Sequence, residues 1–487
     1  MRKSGVIEEA VGKISYIYVH RLKYKHVPTP PIQSFILGHI PYMMRHYKNG
    51  GTYPEFILKW VEEYGPVVVC HVMHKTMVFT VDQEAVKELL VNGNHPKSEF
   101  VYGRLSNLFG NRFVGKGLLT ETDHAVWSER RSLYNAAFHR GYLMHLMPVF
   151  NTTSDVLVEK LKSVADTGNV ISMASELSKA TLDIIGKVAF DLDINSLRDL
   201  KQPFPKAMFT VLTGFDTKVK NLFAEYNPKF WAAGLEIGSA IKLLRQSAKD
   251  SLDHRTEMLR NDEPVPNDIL THMAKMADMM PALHKEKLID DYVTFFLAGH
   301  DTTANLMSFF LIELGLHPDV ADKLYAEIDD MVGKKESITY TELNQLEYLN
   351  MCLKETLRLY PPAAVTFRDT RDEIKICGYD IPKGTICAVS PFASARLVEN
   401  FPDPLDFNPE RFRPTAQFRP KIYGYFPFSI GPRTCIGQTF AQIEAKVVLV
   451  KLLQNFTFQL DSSQHFGLAE STTLKPRGGA MCSVTLR

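Results

Sequence analysis

The chain has 487 residues, 45% of them hydrophobic and 23% charged, and a formal charge of +1. That balance describes a globular protein with a sizeable core and argues against nucleic acid as a partner, since there is no basic excess to neutralise phosphates. The length admits several domains or one large catalytic domain; with no Ser/Gly-rich linker, like-charge block or internal repeat, one domain over 27–487 is expected behind an N-terminal segment 1–26.

In that first segment the aromatic and β-branched run Ile14 to Val19 is too short to cross a bilayer, which takes roughly 18–20 apolar residues. Arg21, Lys23 and Lys25 follow it and suit an interfacial helix, although a solvated basic face is the ordinary alternative. "VPTPP" then stiffens the chain. From about Trp60 to Thr80 a β-branched run broken by turn residues reads as a small sheet. Most of 81–360 reads as helical, with amphipathic patterns over 121–165, 172–192, 233–260, 285–316, 318–332 and 343–359. Beyond Pro361, "DEIKICGYDIPKGTICAV" alternates like hairpin strands, a Pro-rich stretch runs from Phe401 to Pro420, and a helix from Gly437 to about Gln454 precedes a β-like tail. The expected fold class is mainly α with small β-sheets (α+β).

Cysteines stand at 70, 352, 377, 387, 435 and 482 with no C-x-x-C pair, which suits neither a disulfide framework nor a zinc site and implies a reducing compartment. The sequons at Asn151 and Asn455 then read as chance matches.

Two segments carry chemistry. "FFLAGHDTTANLMSFF", Phe295 to Phe310, is an apolar helix with Gly-His-Asp-Thr-Thr at its centre. A helical glycine costs up to about 1 kcal/mol, and buried Asp and Thr cost more unless partnered. A Thr-capped helix start is one reading; apolar spacing on both sides favours a polar cluster at mid-helix. In "FPFSIGPRTCIGQTFAQIEAK", Cys435 lies between Gly431 and Gly437 and just ahead of an amphipathic helix, where the dipole and free backbone N–H groups favour a thiolate. Such a sulfur is a nucleophile or a metal ligand, the glycines allow a flat group to come close, and Arg433 can pair with a carboxylate.

Phe428, Gly431, Arg433, Cys435 and Gly437 match the haem-binding signature F-x-x-G-x-R-x-C-x-G, and on it the chain resembles the cytochrome P-450 monooxygenases. The resemblance implies a haem between a long I helix and the Cys-ligand loop with its L helix, with Cys435 as axial thiolate to the iron. It places Ala298, Gly299, Asp301 and Thr302 on the distal side, where Gly299 would open a groove and Asp301 and Thr302 would relay protons. Glu355, Arg358 and Arg411 match its E-x-x-R and F-x-P-x-R-F segments and would form a buried charge network. Arg131, Arg368 and Arg433 would neutralise the haem propionates, with Trp127 packed at the same edge.

By the same likeness Phe109, Phe113, Phe295, Phe296, Ala363 and Thr473 would line a substrate cavity. The segment 203–232, with Phe209, Phe215, Phe223 and Trp231, would form a mobile, membrane-facing lid. Several stretches, among them "YFPFSIGPRTCIGQTFAQIEAKVV" and "FGLAESTTLKP", look most like cholesterol 24-hydroxylase, which would make the substrate the side chain of cholesterol. O2 would be co-substrate, and NADPH-cytochrome P-450 reductase would bring electrons, with Arg130, Lys421 and Lys446 on the side that meets it. The expected protein is a monomer at the cytosolic face of the endoplasmic reticulum membrane, peripheral because the chain starts where a hydrophobic anchor would be ending. Asp301 and Thr302 stand where the nearest relatives tend to have Glu and Ser, a variation also found in fatty-acid hydroxylases. A fatty-acid or xenobiotic hydroxylase is the alternative; a haem-thiolate isomerase and a non-catalytic haem or sterol-binding protein stand further off.

Overall fold

The computed structural model describes residues 12, 14–199, 201–221, 224–279 and 285–487. The chain forms two compact units, one from Met1–Glu99, Ala363–Asp406 and Arg419–Thr434, the other from Phe100–Pro362, Phe407–Phe418 and Cys435–Arg487.

In the first unit, helix α1 (Tyr53–Tyr64) opens with a capping box in which Thr52 and Glu55 satisfy each other's backbone N–H groups. It buries Phe56 and Trp60, one turn apart, on a single face. The expected sheet from Trp60 therefore starts later: that residue belongs to the helix, and the β-branched run begins at Val67. Strands β1 (Val67–Val72) and β2 (Lys75–Thr80) form an antiparallel hairpin with Val67 opposite Thr80. β3 (Thr366–Asp369), the hairpin β4 (Ile374–Ile376) and β5 (Tyr379–Ile381), and β6 (Ile386–Val389) follow. The order in the main sheet is β1-β2-β6-β3, with β6 parallel to β2 and antiparallel to β3. The β4–β5 turn has positive φ at both Cys377 and Gly378, the twist a two-residue hairpin loop requires. Val67, Val69, Val78, Val86, Cys387 and Val389 make the core. Tyr24 Oη lies 2.8 Å from Thr385 Oγ1, and Arg21 Nη2 donates to the Met73 carbonyl at 3.2 Å, so the segment before the prolines docks on this unit.

The second unit carries the long helices: α2 (His124–Tyr134), α3 (Met147–Lys162), α4 (Met173–Phe190), α5 (Pro203–Lys220), α6 (Trp231–Arg260), α7 (Ile269–Met279), α8 (Lys285–Leu316), α9 (Pro318–Met331), α10 (Glu347–Leu359) and α11 (Gln438–Asn455). α8 is buried on nearly every side from Leu288 to Leu314 and packs along α4. That is why its apolar residues are not confined to one stripe. The apolar periodicity gives α8 its observed ends, but reads the region 121–165 as one pattern where breaks at Asn135 and Leu146 divide it, and does not separate α5 or α7. A C-terminal sheet pairs β7 (Phe456–Leu460) with β10 (Met481–Leu486), and β8 (Leu468–Glu470) and β9 (Leu474–Pro476) form a hairpin between them in sequence.

The start of α8 is held by two buried carboxylates. Asp290 accepts from Arg112 Nη2 at 2.6 Å, Arg245 Nη1 at 2.8 Å and Lys116 N at 2.8 Å. Asp291 accepts from Arg130 Nη1 at 3.1 Å, Tyr134 Oη at 2.8 Å and Leu118 N at 2.6 Å. Burial pushes the Asp291 carboxyl up to about 6, against the pull of Arg130 and its hydrogen bonds. This corrects the expectation that Arg130 faces a redox partner: its side chain is wholly buried and ion-paired to Asp291 and Glu121.

Candidate active site

α8 runs without a break through Gly299–Thr303, so the polar cluster lies at mid-helix and the cap reading falls. Its hydroxyls are satisfied within the helix. Thr302 Oγ1 donates to the Ala298 carbonyl at 2.8 Å, Thr303 Oγ1 to Gly299 O at 3.3 Å and Ser308 Oγ to Ala304 O at 2.6 Å, each four residues back. His300 is wholly buried, with Nδ1 2.8 Å from Phe296 O, while its own carbonyl accepts from Thr181 Oγ1 at 3.0 Å. Burial lowers its pKa and favours the neutral ring.

The Asp301 carboxylate accepts from Thr473 Oγ1, and Thr473 in turn accepts from Asn305 Nδ2 at 3.0 Å. Thr473, expected against substrate, thus has its hydroxyl engaged with the acid. Ala298 is exposed and Thr302 partly so, although both belong to a helix otherwise buried. Spaced by four, they share one face, and that face is open. Gly299 is partly exposed, and a methyl there would lie 2.9 Å from the Ile185 side chain of α4, so the absent side chain also serves the close approach of two helices.

In the second unit Cys435 is exposed, whereas Cys70, Cys352, Cys387 and Cys482 are buried. It stands just ahead of α11, whose cap residue Gly437 offers no side chain and whose first turn carries no acid, so nothing from the helix competes for a negative charge at this end. Arg131, which donates from Nε to Asn135 Oδ1 at 3.1 Å, is close enough for its charge to be raised in pKa by the Cys435 sulfur, although burial outweighs this and lowers it. Trp127 is buried beside His124, their rings 5.5 Å apart.

In the first unit Gly431 has φ +74°, and a Cβ would lie 2.1 Å from the Leu90 carbonyl oxygen, so this glycine is required by the backbone itself. Phe428 is partly buried and its carbonyl accepts from Thr434 Oγ1 at 3.3 Å; Arg433 is partly buried. Arg368 is buried on β3, with Nη1 donating to Thr366 Oγ1 and Phe367 O, each at 3.0 Å. Ala363 is exposed.

The expected charge network is assembled within the second unit. Arg358 grips Glu355 with Nε to Oε2 at 2.7 Å and Nη2 to Oε1 at 2.9 Å, both side chains fully buried. Arg411 Nε lies 3.3 Å from Glu355 Oε1, which also accepts from Asn408 N at 2.8 Å.

Among the proposed cavity residues, Phe113 is fully buried against Phe215, centroids 5.7 Å apart, which also removes Phe215 from any membrane-facing lid. Phe296 is fully buried, stacked on Phe190 at 4.5 Å. Phe295 lies edge-on to Tyr134 at 5.1 Å, and Phe109 is partly buried with its ring by Gly234 of α6. Trp231 is exposed and Phe209 partly so; Phe223 lies outside the described residues.

Sequence reasoning passed over Glu444 of α11. It is wholly buried with no cation paired to it among the described residues, and burial pushes its pKa well above the carboxylate range, with a hydrogen bond from the nearby Thr303 hydroxyl pulling the other way. The signal was present: a charged residue one step past Ile443 and three before Val447, on a helix buried nearly all round.

The donor set fits a haem. One exposed cysteine sulfur is available at a helix start, where the free backbone N–H groups and the helix dipole favour a negatively charged ligand, and no group of three His, Cys, Asp or Glu among the described residues could hold a bare metal ion. The family model of cytochrome P450 matches residues 28–482. Cytochrome P450 3A12 of Canis lupus familiaris is 31% identical over 448 residues, 89% of this chain and 85% of that protein. Cytochrome P450 3A29 of Sus scrofa is 31% identical over 454 residues, 91% and 87% of the two chains, and cytochrome P450 4d2 of Drosophila melanogaster is 30% identical over 445 residues, 86% and 87%. The chain belongs to the cytochrome P450 family. None of these three relatives bears the name of a cholesterol 24-hydroxylase, so the sterol reading rests on the sequence likeness alone.

Proposed function

We propose that the protein is an oxygen-dependent hydroxylase of a lipophilic substrate, in the first place a fatty acid or xenobiotic. The side chain of cholesterol is kept as the second reading on the strength of the quoted segments. The observation that carries the proposal is the exposed Cys435 sulfur at the uncapped start of α11 in a chain of this family. Haem, when bound, supplies the redox chemistry that activates O2 and inserts one of its atoms. Cys435 would hold its iron, Arg131, Arg368 and Arg433 would pair with its propionates, and Trp127, Phe428, Gly431 and Gly437 would shape the surroundings. Thr302, on the helix face that Ala298 leaves open, and the buried Asp301 next to it hold and pass the protons that the reaction consumes. Phe109, Phe295 and Ala363 contact substrate.

Electrons come from NADPH through its P-450 reductase. The protein works as a monomer on the cytosolic side of the endoplasmic reticulum membrane. Among the described residues no helix is long and apolar enough to cross a membrane. Exposed Tyr16, Tyr18, Val19 and Leu22 supply an apolar face for surface attachment.

Optical titration of the haem-loaded protein with fatty acids, xenobiotics and cholesterol tests the substrate reading, a saturable spin shift identifying the class that reaches the iron. Cys435→Ser tests the ligand: the thiolate-type spectrum is lost, and an unaltered spectrum removes Cys435 from the site.

A further inference from the structure

We propose that Thr473, at the tip of the β8–β9 hairpin, is a positioning residue for Asp301; the proposal rests on the reading of Asp301 as part of the proton relay. An ionised carboxylate only accepts hydrogen bonds, so in its contact with Asp301 the Thr473 hydroxyl must donate. The Asn305 amide nitrogen only donates, and it reaches the same oxygen at 3.0 Å. The hydroxyl's orientation is therefore settled from both sides. Asn305 donates to Thr473 and Thr473 to Asp301, a directed chain in which each bond polarises the next and the negative end falls on the acid.

Asn305 is four residues beyond Asp301 on α8, so one helix face supplies both ends of the chain and a different part of the fold supplies the middle. That middle is held. Ser471 N donates to Thr473 O at 3.0 Å, closing the turn, and Leu474, itself buried, donates its N–H to the Pro362 carbonyl at 2.9 Å. With Asp301, Asn305 and Thr473 all buried, solvent does not substitute for the missing partner if one is removed. The rotamer of the acid is thus tied to the place of the hairpin tip. A chain segment about 170 positions later in sequence, |i−j| 172, sets the orientation of a group on α8.

The test uses the full haem-loaded chain with its reductase and the variants Thr473→Val, Thr473→Ser and Asp301→Asn. In the resting protein, the carboxylate stretching band of Asp301 is the infrared band lost in Asp301→Asn. It is expected to shift in Thr473→Val and to keep its position in Thr473→Ser. In turnover, Thr473→Val is expected to lower product formed per NADPH by roughly tenfold, a fraction of the about 10²–10⁴-fold that proton transfer by a positioned group contributes. The solvent isotope effect should change with it and the substrate dissociation constant should not, while Thr473→Ser restores coupling. An unshifted band with unchanged coupling in Thr473→Val, when Asp301→Asn uncouples, overturns the proposal. So does a changed dissociation constant with an unshifted band, which makes Thr473 a substrate contact. Full coupling in Asp301→Asn overturns the relay reading itself.

Discussion

Glu355 and Arg358 meet in a doubly hydrogen-bonded ion pair, 2.7 Å and 2.9 Å, with no solvent access to either side chain. Two charges withdrawn from water this completely are tolerable because each satisfies the other, and because Asn408 and Arg411 occupy more of the Glu355 oxygens.

Removing one partner leaves the other charged and buried. Glu355→Ala is expected to cost about 3–5 kcal/mol and to give protein with little haem. Urea unfolding and haem content per chain measure both. The exposed pair Lys383–Asp372, 4.0 Å apart, gives a control in which loss of one charge changes stability by at most about 1 kcal/mol.

Thr302 is partly exposed, and its hydroxyl bonds back into its own helix at 2.8 Å, so Thr302→Ala leaves no buried group unsatisfied. The variant should fold with a stability within about 1 kcal/mol of the parent and bind haem. Product per NADPH should fall on the order of 10²-fold. Equal coupling in the variant and the parent would take Thr302 out of the relay.

The two motif glycines should behave unalike. Gly431→Ala places a side chain at φ +74° and against the Leu90 carbonyl, and is expected to destabilise by about 2 kcal/mol or more. At Gly437 a Cβ meets nothing closer than Phe138 at 3.8 Å, so alanine there should fold normally. Thermal melting separates the pair, and haem uptake by Gly437→Ala shows whether that position matters to the cofactor.

Stability should fall as pH rises through the mildly acidic range. Burial holds the Glu444 and Asp291 carboxyls above their unfolded values, so the native chain binds more protons than the unfolded one between those limits. For Asp291 the window opens near the unfolded carboxyl pKa of about 4 and closes at about 6. Glu444→Gln keeps the shape, removes the proton and should flatten the Glu444 share of the slope. Melting temperatures between pH 5 and 8 for parent and variant give the comparison, and parallel curves would mean that Glu444 is not linked to folding.

Sequence was most informative where chemistry is local. Cys435 beside Gly437, the E-x-x-R spacing of Glu355 and Arg358, and the mid-helix placement of Asp301 and Thr302 depend on neighbours within a turn or two, which periodicity and spacing report. What could not be read depends on partners far along the chain. Arg130 looks like any surface arginine until Asp291 closes on it, Thr473 looks like a cavity residue until Asp301 accepts its hydrogen bond, and the contact of Gly299 with Ile185 appears only when α4 is laid beside α8. Phe113 and Phe296 show the same limit: an aromatic residue in sequence does not say whether its ring meets a ligand or another ring.

The neighbours Ala298 and Gly299 divide one turn of α8 between constraint and freedom. At position 299 a methyl would lie 2.9 Å from the Ile185 side chain of α4, so any side chain there requires that isoleucine to shift. Position 298, on the open face, can take a larger residue without disturbing that packing. The shape of the open face can therefore change at 298 with no change in how α8 packs on α4.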